Sequence, residues 1–362
     1  MPALDGHVTE HPWREEGWRL LALALYRAGR QGDALAVLRR ARQTLAEGLG
    51  VDPGPALSRL ERDVLRHEPA LDPVPEVWAS TAAAYERLVG VGSRARLEST
   101  VGLLRSLAVT GGGGLGAARE QRPATIEEAE RLGDPVLTAR VIGAYDVPAS
   151  WTRSDDPAQA AAIAAAARRT AAALDPDKHD ALRARLLATV AVESRGSGSA
   201  GAREAALEAE RLARGLEDPG LLAFALNGVW MQTFARTGLA PERDAIGAEL
   251  IGLAARHGLV TAEVLGHLIR LQSHSALGDF TGADRHAAAA DDLAGRHELP
   301  LAGVLTAWYR ALRLAATGDT GAAERAYRRA GAGLDGAGMP GLETGLLPLA
   351  LLGIGIEVHD LE

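Results

Sequence analysis

The residues best placed to do chemistry are His267, Arg270 and His274, spaced i, i+3 and i+7, which on a helix puts them on one face with Glu263. Two imidazoles and a carboxylate are zinc-ligand types, but the HExxH spacing is absent and a guanidinium between the rings repels a cation, so no metal is assigned. One forty-residue period earlier the same positions hold Asn227, Trp230 and Phe234. A polar cluster between helices must be hydrogen-bonded by protein, water or ligand. A buried polar network and a ligand-binding site both satisfy that condition. In the same register Gln232, Gln272 and Trp308 point to the inside of a helical array, where Trp and Gln combine apolar area with hydrogen bonding as peptide or small-ligand grooves do. For Trp308 a plain core position is the competing reading.

Other chemistry finds less support. The glycine run Gly111 to Gly114, with Gly116, is followed by Ala117, Ala118 and Arg119, not by the Lys-Ser/Thr that a phosphate loop uses, so it reads as an inter-helix loop. Ser194 and Ser197 sit near Glu193 and Arg195 without a Gly-x-Ser-x-Gly turn. The pairs Asp155-Asp156 and Asp291-Asp292 are adjacent, point apart on a helix and read as helix-start or solvated residues. Lys178 is the one lysine, which removes most lysine-dependent chemistry, and the absence of cysteine removes disulfides, thiolate metal sites and Cys nucleophiles. No catalytic residue, metal or cofactor is assigned, and the chain is not read as an enzyme.

The elements that must position these residues are helices. The 362 residues are rich in Ala and aliphatic side chains and poor in aromatics (4%), without the Val/Ile runs of strands. The net charge of −8, with both signs interspersed, offers no basic face for phosphate contacts. No apolar run reaches membrane-spanning length and no signal pattern opens the chain, so a cytoplasmic protein without a membrane partner is expected.

From Val77 onward the punctuation is regular. Gly198, Gly238, Gly278 and Gly318 recur at a forty-residue interval, and the segments 276–283 and 316–322 are near copies. Leu132-Gly-Asp-Pro-Val-Leu returns as Leu216-Glu-Asp-Pro-Gly-Leu, with Asp placed to cap the helix that Pro opens. Such units predict an all-α fold of tandem helix hairpins, TPR-like, stacked in a right-handed superhelix of about seven pairs.

The segment from Trp18 to Leu71 is the most specific. Trp18, Leu21, Ala22, Leu25, Ala34, Leu38 and Ala41 fall at tetratricopeptide (TPR) offsets on two helices joined by a turn at residues 28–32. Gly50 is placed to end the second helix left-handed, Asp52 to cap a third, and Pro53 and Pro55 to separate them, ahead of the apolar set Leu57, Leu60, Val64 and Leu65. The run LGVDPGPAL between YRAGRQGDALAVLRRAR and RLERDVLRHEPAL resembles the bacterial transcriptional activator domain of SARP/AfsR-type regulators of antibiotic pathways. The resemblance covers residues 8 to 71.

It implies the regulatory and assembly portion of a transcriptional activator of specialised metabolism. Protomers would pair as a homodimer on direct-repeat sites, and a protein or small-molecule effector would occupy the repeat groove. In that family a winged-helix DNA-binding domain comes first, so DNA contact is expected only through a domain absent from this chain, and cut or partner-covered ends are expected at both termini. Relatives with a nucleotide-binding ATPase module between the two parts differ from this chain, so an ATP-driven switch is not carried over. The expected organisation is residues 1–71 as a partial activator domain, 72–80 as linker and 81–362 as repeat array. The alternative is a stand-alone TPR scaffold that binds a peptide or protein partner.

Overall fold

A computed structural model describes residue 8 and residues 11–27, 31–66, 93–110, 114–334 and 339–359; among these residues there is no strand. The chain divides into two compact units, Met1–Leu88 and Val89–Glu362. The expected linker at 72–80, the turn residues 28–30 and the glycines at 111–113 lie outside the described residues.

In the first unit α1 (Glu15–Arg27), α2 (Gln31–Leu49) and α3 (Pro55–Arg66) surround one core. Trp18, Leu21, Ala22 and Leu25 of α1 meet Ala34, Leu38 and Ala41 of α2, all buried, and Leu57, Leu60 and Val64 of α3 close the cluster. Ala22, Ala34 and Ala41 have no exposed surface, so the two backbones approach where the alanines meet and Trp18 fills the remaining space. Leu65, expected inside, is exposed. Gly50 ends α2 with φ of 68° and donates to Ala46 O at 3.0 Å, an αL cap. The entry to α3 differs from expectation: the Gly54 N–H is bound at 2.8 Å by the carboxylate of Glu15, not by Asp52.

The second unit is a series of helices in which neighbours in sequence pack on one another: α4 (Ser93–Thr110), α5 (Gly114–Arg131), α6 (Pro135–Gly143), α7 (Pro157–Ala173), α8 (Asp180–Glu193), α9 (Ala200–Arg214), α10 (Pro219–Met231), α11 (Ala240–His257), α12 (Val260–Ala276), α13 (Phe280–Arg296), α14 (Pro300–Ala316), α15 (Thr320–Ala332) and α16 (Pro340–His359). A 3-10 turn, Gln232–Ala235, extends α10. The repeated glycines do what their spacing implies. Gly198, Gly238, Gly278 and Gly318 have φ of 65°, 80°, 76° and 82°, a conformation in which a Cβ would crowd the following carbonyl. The Asp-Pro pairs cap as expected, Asp134 accepting from Val136 and Leu137 N–H groups at 3.0 and 3.2 Å and Asp218 from Leu221 N–H at 2.9 Å.

Alanine and glycine set the spacing of the layers. At the crossing of α11 and α12 a Cβ on Gly247 would lie 3.0 Å from Gly266 O, and one on Gly266 would lie 2.9 Å from Gly247 O, so the two backbones touch there. Leu250 and Ile269, neither with exposed surface, pack beside that contact. Burying a side chain of this size contributes about 1.5–3 kcal/mol.

The far end of the second unit returns to its beginning. Leu334, Met339 and Leu342 pack with Leu115 of α5, Trp151 and Leu301. Hence the array encloses space instead of presenting only an open groove. Leu349 and Leu352 of α16 remain exposed. No helix among the described residues is long and apolar enough to cross a membrane.

Candidate functional site

A non-helical strap, residues 144–156, runs between α6 and α7. The pair Val147-Pro148 disfavours helix at this point, and the strap's backbone polar groups must be satisfied by neighbours. Asn227 of α10, 1% exposed, does this for Ala149: its Oδ1 accepts the Ala149 N–H and its Nδ2 donates to the Ala149 carbonyl, both at 2.9 Å. Asp146 is held by Arg105 and, at 3.5 Å, by Arg185, which reaches Asp218 at 3.0 Å. Asp156 caps α7 through the Gln159 N–H at 2.9 Å.

Around the strap lies a cavity of about 1210 Å³, its open mouth included, bounded by α4, α5, the strap, α8, α12 and α14. Its apolar lining includes Leu115, Val264, Leu265, Leu268 and Leu305. Its charged lining is Arg119, Arg122, Arg153 and Arg195 with Asp155 and Glu193, so four guanidiniums against two carboxylates leave an excess of two positive charges. Arg122, 6% exposed, pairs with Glu193 through Nη1, and its guanidinium carbon lies 4.1 Å from the centre of the Tyr145 ring. Arg195 donates from Nη1 to the Val192 carbonyl at 2.9 Å and lies 3.6 Å from Glu193. Arg119 binds Asp155 at 3.0 Å, and the other Asp155 oxygen accepts the Gly341 N–H at 2.8 Å. The Nε atoms of Arg122 and Arg195 are buried and without a hydrogen-bond partner.

Burial pushes the Arg195 guanidinium below its ordinary pKa, opposed by the Glu193 carboxylate. Burial raises the Tyr145 phenol, opposed by Arg122, so the ring is neutral at physiological pH. A concave site with an apolar wall and concentrated guanidinium donors is chemically suited to an anion with an apolar body.

The residues singled out from the sequence lie elsewhere. His267, Arg270 and His274 do come together on α12, in a network with α11 and α13. Arg270 binds Asp244 through Nε and Nη2 at 2.8 and 3.2 Å; His274 lies 3.1 Å from Asp244 and 2.7 Å from Asp279. His267 Nδ1 meets His286 Nδ1 at 2.9 Å. Among the described residues no group of three or more His, Cys, Asp or Glu is disposed to hold a metal. Gln232 donates to the Ala191 carbonyl at 2.7 Å, Gln272 is exposed, and Trp308 packs on Tyr327 with ring centres 5.0 Å apart. None of the six lines the cavity. Gln272 is four residues past Leu268 and Trp308 three past Leu305, so each shares a face with a cavity residue but sits one turn beyond it.

Sequence reading missed Arg119, Arg122, Tyr145, Asp155 and Glu193 as a group. The available signal was the charged triplet Glu193-Ser194-Arg195 closing an apolar run, Leu186 to Val192, that is buried almost throughout.

Residues 1–65 match the family described as the bacterial transcriptional activator domain. Regulatory protein AfsR of Streptomyces coelicolor is 50% identical over 84 residues, 23% of this chain and 8% of that protein. Transcriptional regulatory protein EmbR of Mycobacterium tuberculosis is 47% identical over 66 residues, 18% of this chain and 17% of that protein. Transcriptional regulator RedD of Streptomyces coelicolor is 44% identical over 71 residues, 20% of each. The chain thus spans a fifth or less of the length of these three relatives.

Proposed function

We propose that this chain, which carries a bacterial transcriptional activator domain at residues 1–65, is the regulatory and assembly portion of a SARP-type transcriptional activator of specialised, antibiotic-type metabolism. The single observation that carries this reading is the likeness of the first unit to the activator domain of named regulators, extending over a whole helix pair and the LGVDPGPAL entry to α3. In this reading the first unit pairs protomers on direct-repeat promoter sites, the whole protein reads DNA through a winged helix, and the second unit receives a signal in the cytoplasm. The support for a signal-receiving role is the cavity: cationic donors and apolar walls suit binding, and the strap that forms one wall is held by side chains from several helices.

Chromatin capture from the producing cells, with an antibody against residues 93–334, tests the reading. The expected result is enrichment of a few promoters containing direct repeats, with loss of the corresponding transcripts when the gene is deleted. Recovery of no promoter DNA, with unchanged transcripts, overturns it and leaves the stand-alone repeat scaffold.

A further inference from the structure

We propose that the cavity of the second unit binds a small molecule with one carboxylate and an apolar body, the carboxylate taken by Arg122 and Arg195. This deepens the signal-receiving role proposed above by naming the ligand's chemistry, but it is tested by binding alone, so its failure is separable from failure of the transcriptional reading.

The argument rests on which edges of the guanidiniums are used. Arg122 engages Glu193 through Nη1, and Arg195 engages the Val192 carbonyl through Nη1. In both, Nε is buried and unpartnered. The Nε–Nη2 edge is the one that grips a carboxylate with two parallel hydrogen bonds, as Arg270 grips Asp244 in the same unit. A buried donor without an acceptor is destabilising, and an incoming carboxylate recovers that loss as the side chain turns this edge to the ligand.

Charge and shape agree with this assignment. Glu193 and Asp155 neutralise two of the four guanidiniums, so one anionic group is accepted without reversing the sign of the site. Tyr145 covers a face of Arg122 and leaves recognition to its edge. Val264, Leu265 and Leu268 of α12 contribute only hydrocarbon to the lining, which a hydrated ion such as phosphate would not use. The return of Met339 and Gly341 to the strap limits the length of an occupant, which favours a small molecule over an extended peptide.

The test is calorimetric titration of the full chain with decanoate, decan-1-ol, decylamine and inorganic phosphate, each below its aggregation concentration. The expected order is decanoate tightest, by about tenfold over the alcohol, a difference of about 1.4 kcal/mol, with no measurable binding of the amine or of phosphate. Arg195→Gln should lower decanoate affinity to about that of the alcohol in the wild-type protein. Arg122→Gln should do the same; should it fail to fold because Glu193 is left buried, Arg195→Gln and the wild-type ligand series decide the matter. Equal binding of decanoate and decan-1-ol, tighter binding of the amine, or an unchanged decanoate affinity in a folded Arg195→Gln variant overturns the proposal. Saturable phosphate binding without decanoate binding also overturns it, in favour of a plain anion site.

Discussion

The carboxylate of Asp155 accepts the backbone N–H of Gly341, 186 residues further along the chain, at 2.8 Å. Its other oxygen binds Arg119 at 3.0 Å. One side chain, 7% exposed, thereby ties the first helices of the second unit to its last and closes the wall of the cavity.

Removing that tie has a defined cost. In Asp155→Ala the Gly341 N–H and the Arg119 guanidinium both lose an acceptor, and a loss of about 1–3 kcal/mol is expected. Denaturant unfolding of the full chain measures the stability, and amide exchange at Gly341 locates the effect. Exchange that stays as slow as in the wild type would show that the closure does not depend on this bond.

Asn227→Ala should cost about 1–3 kcal/mol, because it strands both the N–H and the carbonyl of Ala149 in a buried site. Asn227→Asp keeps the acceptor, loses the donor and adds a buried charge, so it should be at least as destabilising. Urea midpoints rank the three proteins. A midpoint for Asn227→Ala equal to that of the wild type refutes the pinning role.

The histidine pair predicts a pH dependence. The Nδ1–Nδ1 bond between His267 and His286 needs one bare nitrogen, so at least one ring is neutral. Burial lowers the pKa of His267, and burial with the nearby Arg270 pushes His286 down to about 4. Asp244 next to His286 and Glu263 next to His267 oppose these shifts without cancelling them, and Asp279 engages His274 in the same cluster. The unfolded chain titrates near the ordinary histidine value of about 6.5, so it binds more protons than the folded chain between that pH and about 4. Stability from this pair is fully present above the unfolded value and is lost as pH falls through the window. Urea midpoints from pH 7.5 to 4.5 should therefore decline less steeply in His286→Gln than in the wild type; parallel profiles would exclude the pair as the cause.

Arg270→Ala separates the network from the cavity. Arg270 and Asp244 are each about a quarter exposed, so the loss is moderated by solvent, and about 1 kcal/mol is expected. Decanoate affinity should be unchanged, because Arg270 does not line the cavity. A variant that folds but loses decanoate binding would move the ligand to the α11–α13 network.

Some of this protein was decided within short stretches of sequence. The inward residues Trp18, Leu21, Ala34 and Leu38, the left-handed glycines at 238, 278 and 318, and the caps at Asp134 and Asp218 are each set by neighbours within one or two helical turns. Helical periodicity and the φ > 0 tolerance of glycine operate at that range, so pattern alone identified the all-α repeat fold. Pattern could not assign which residues of α12 and α14 line the cavity: Leu268 and Leu305 do, and Gln272 and Trp308, a turn beyond them, do not. Nor could it pair Arg122 with Glu193 across 71 residues, Ala149 with Asn227 across 78, or Asp155 with Gly341. Those partners meet because the stacked helices return on themselves, a sum of small rotations at alanine and glycine contacts that no single repeat encodes. Tertiary structure alone thus made a cationic, half-apolar cavity from side chains that, read one by one, suit a solvated helix surface.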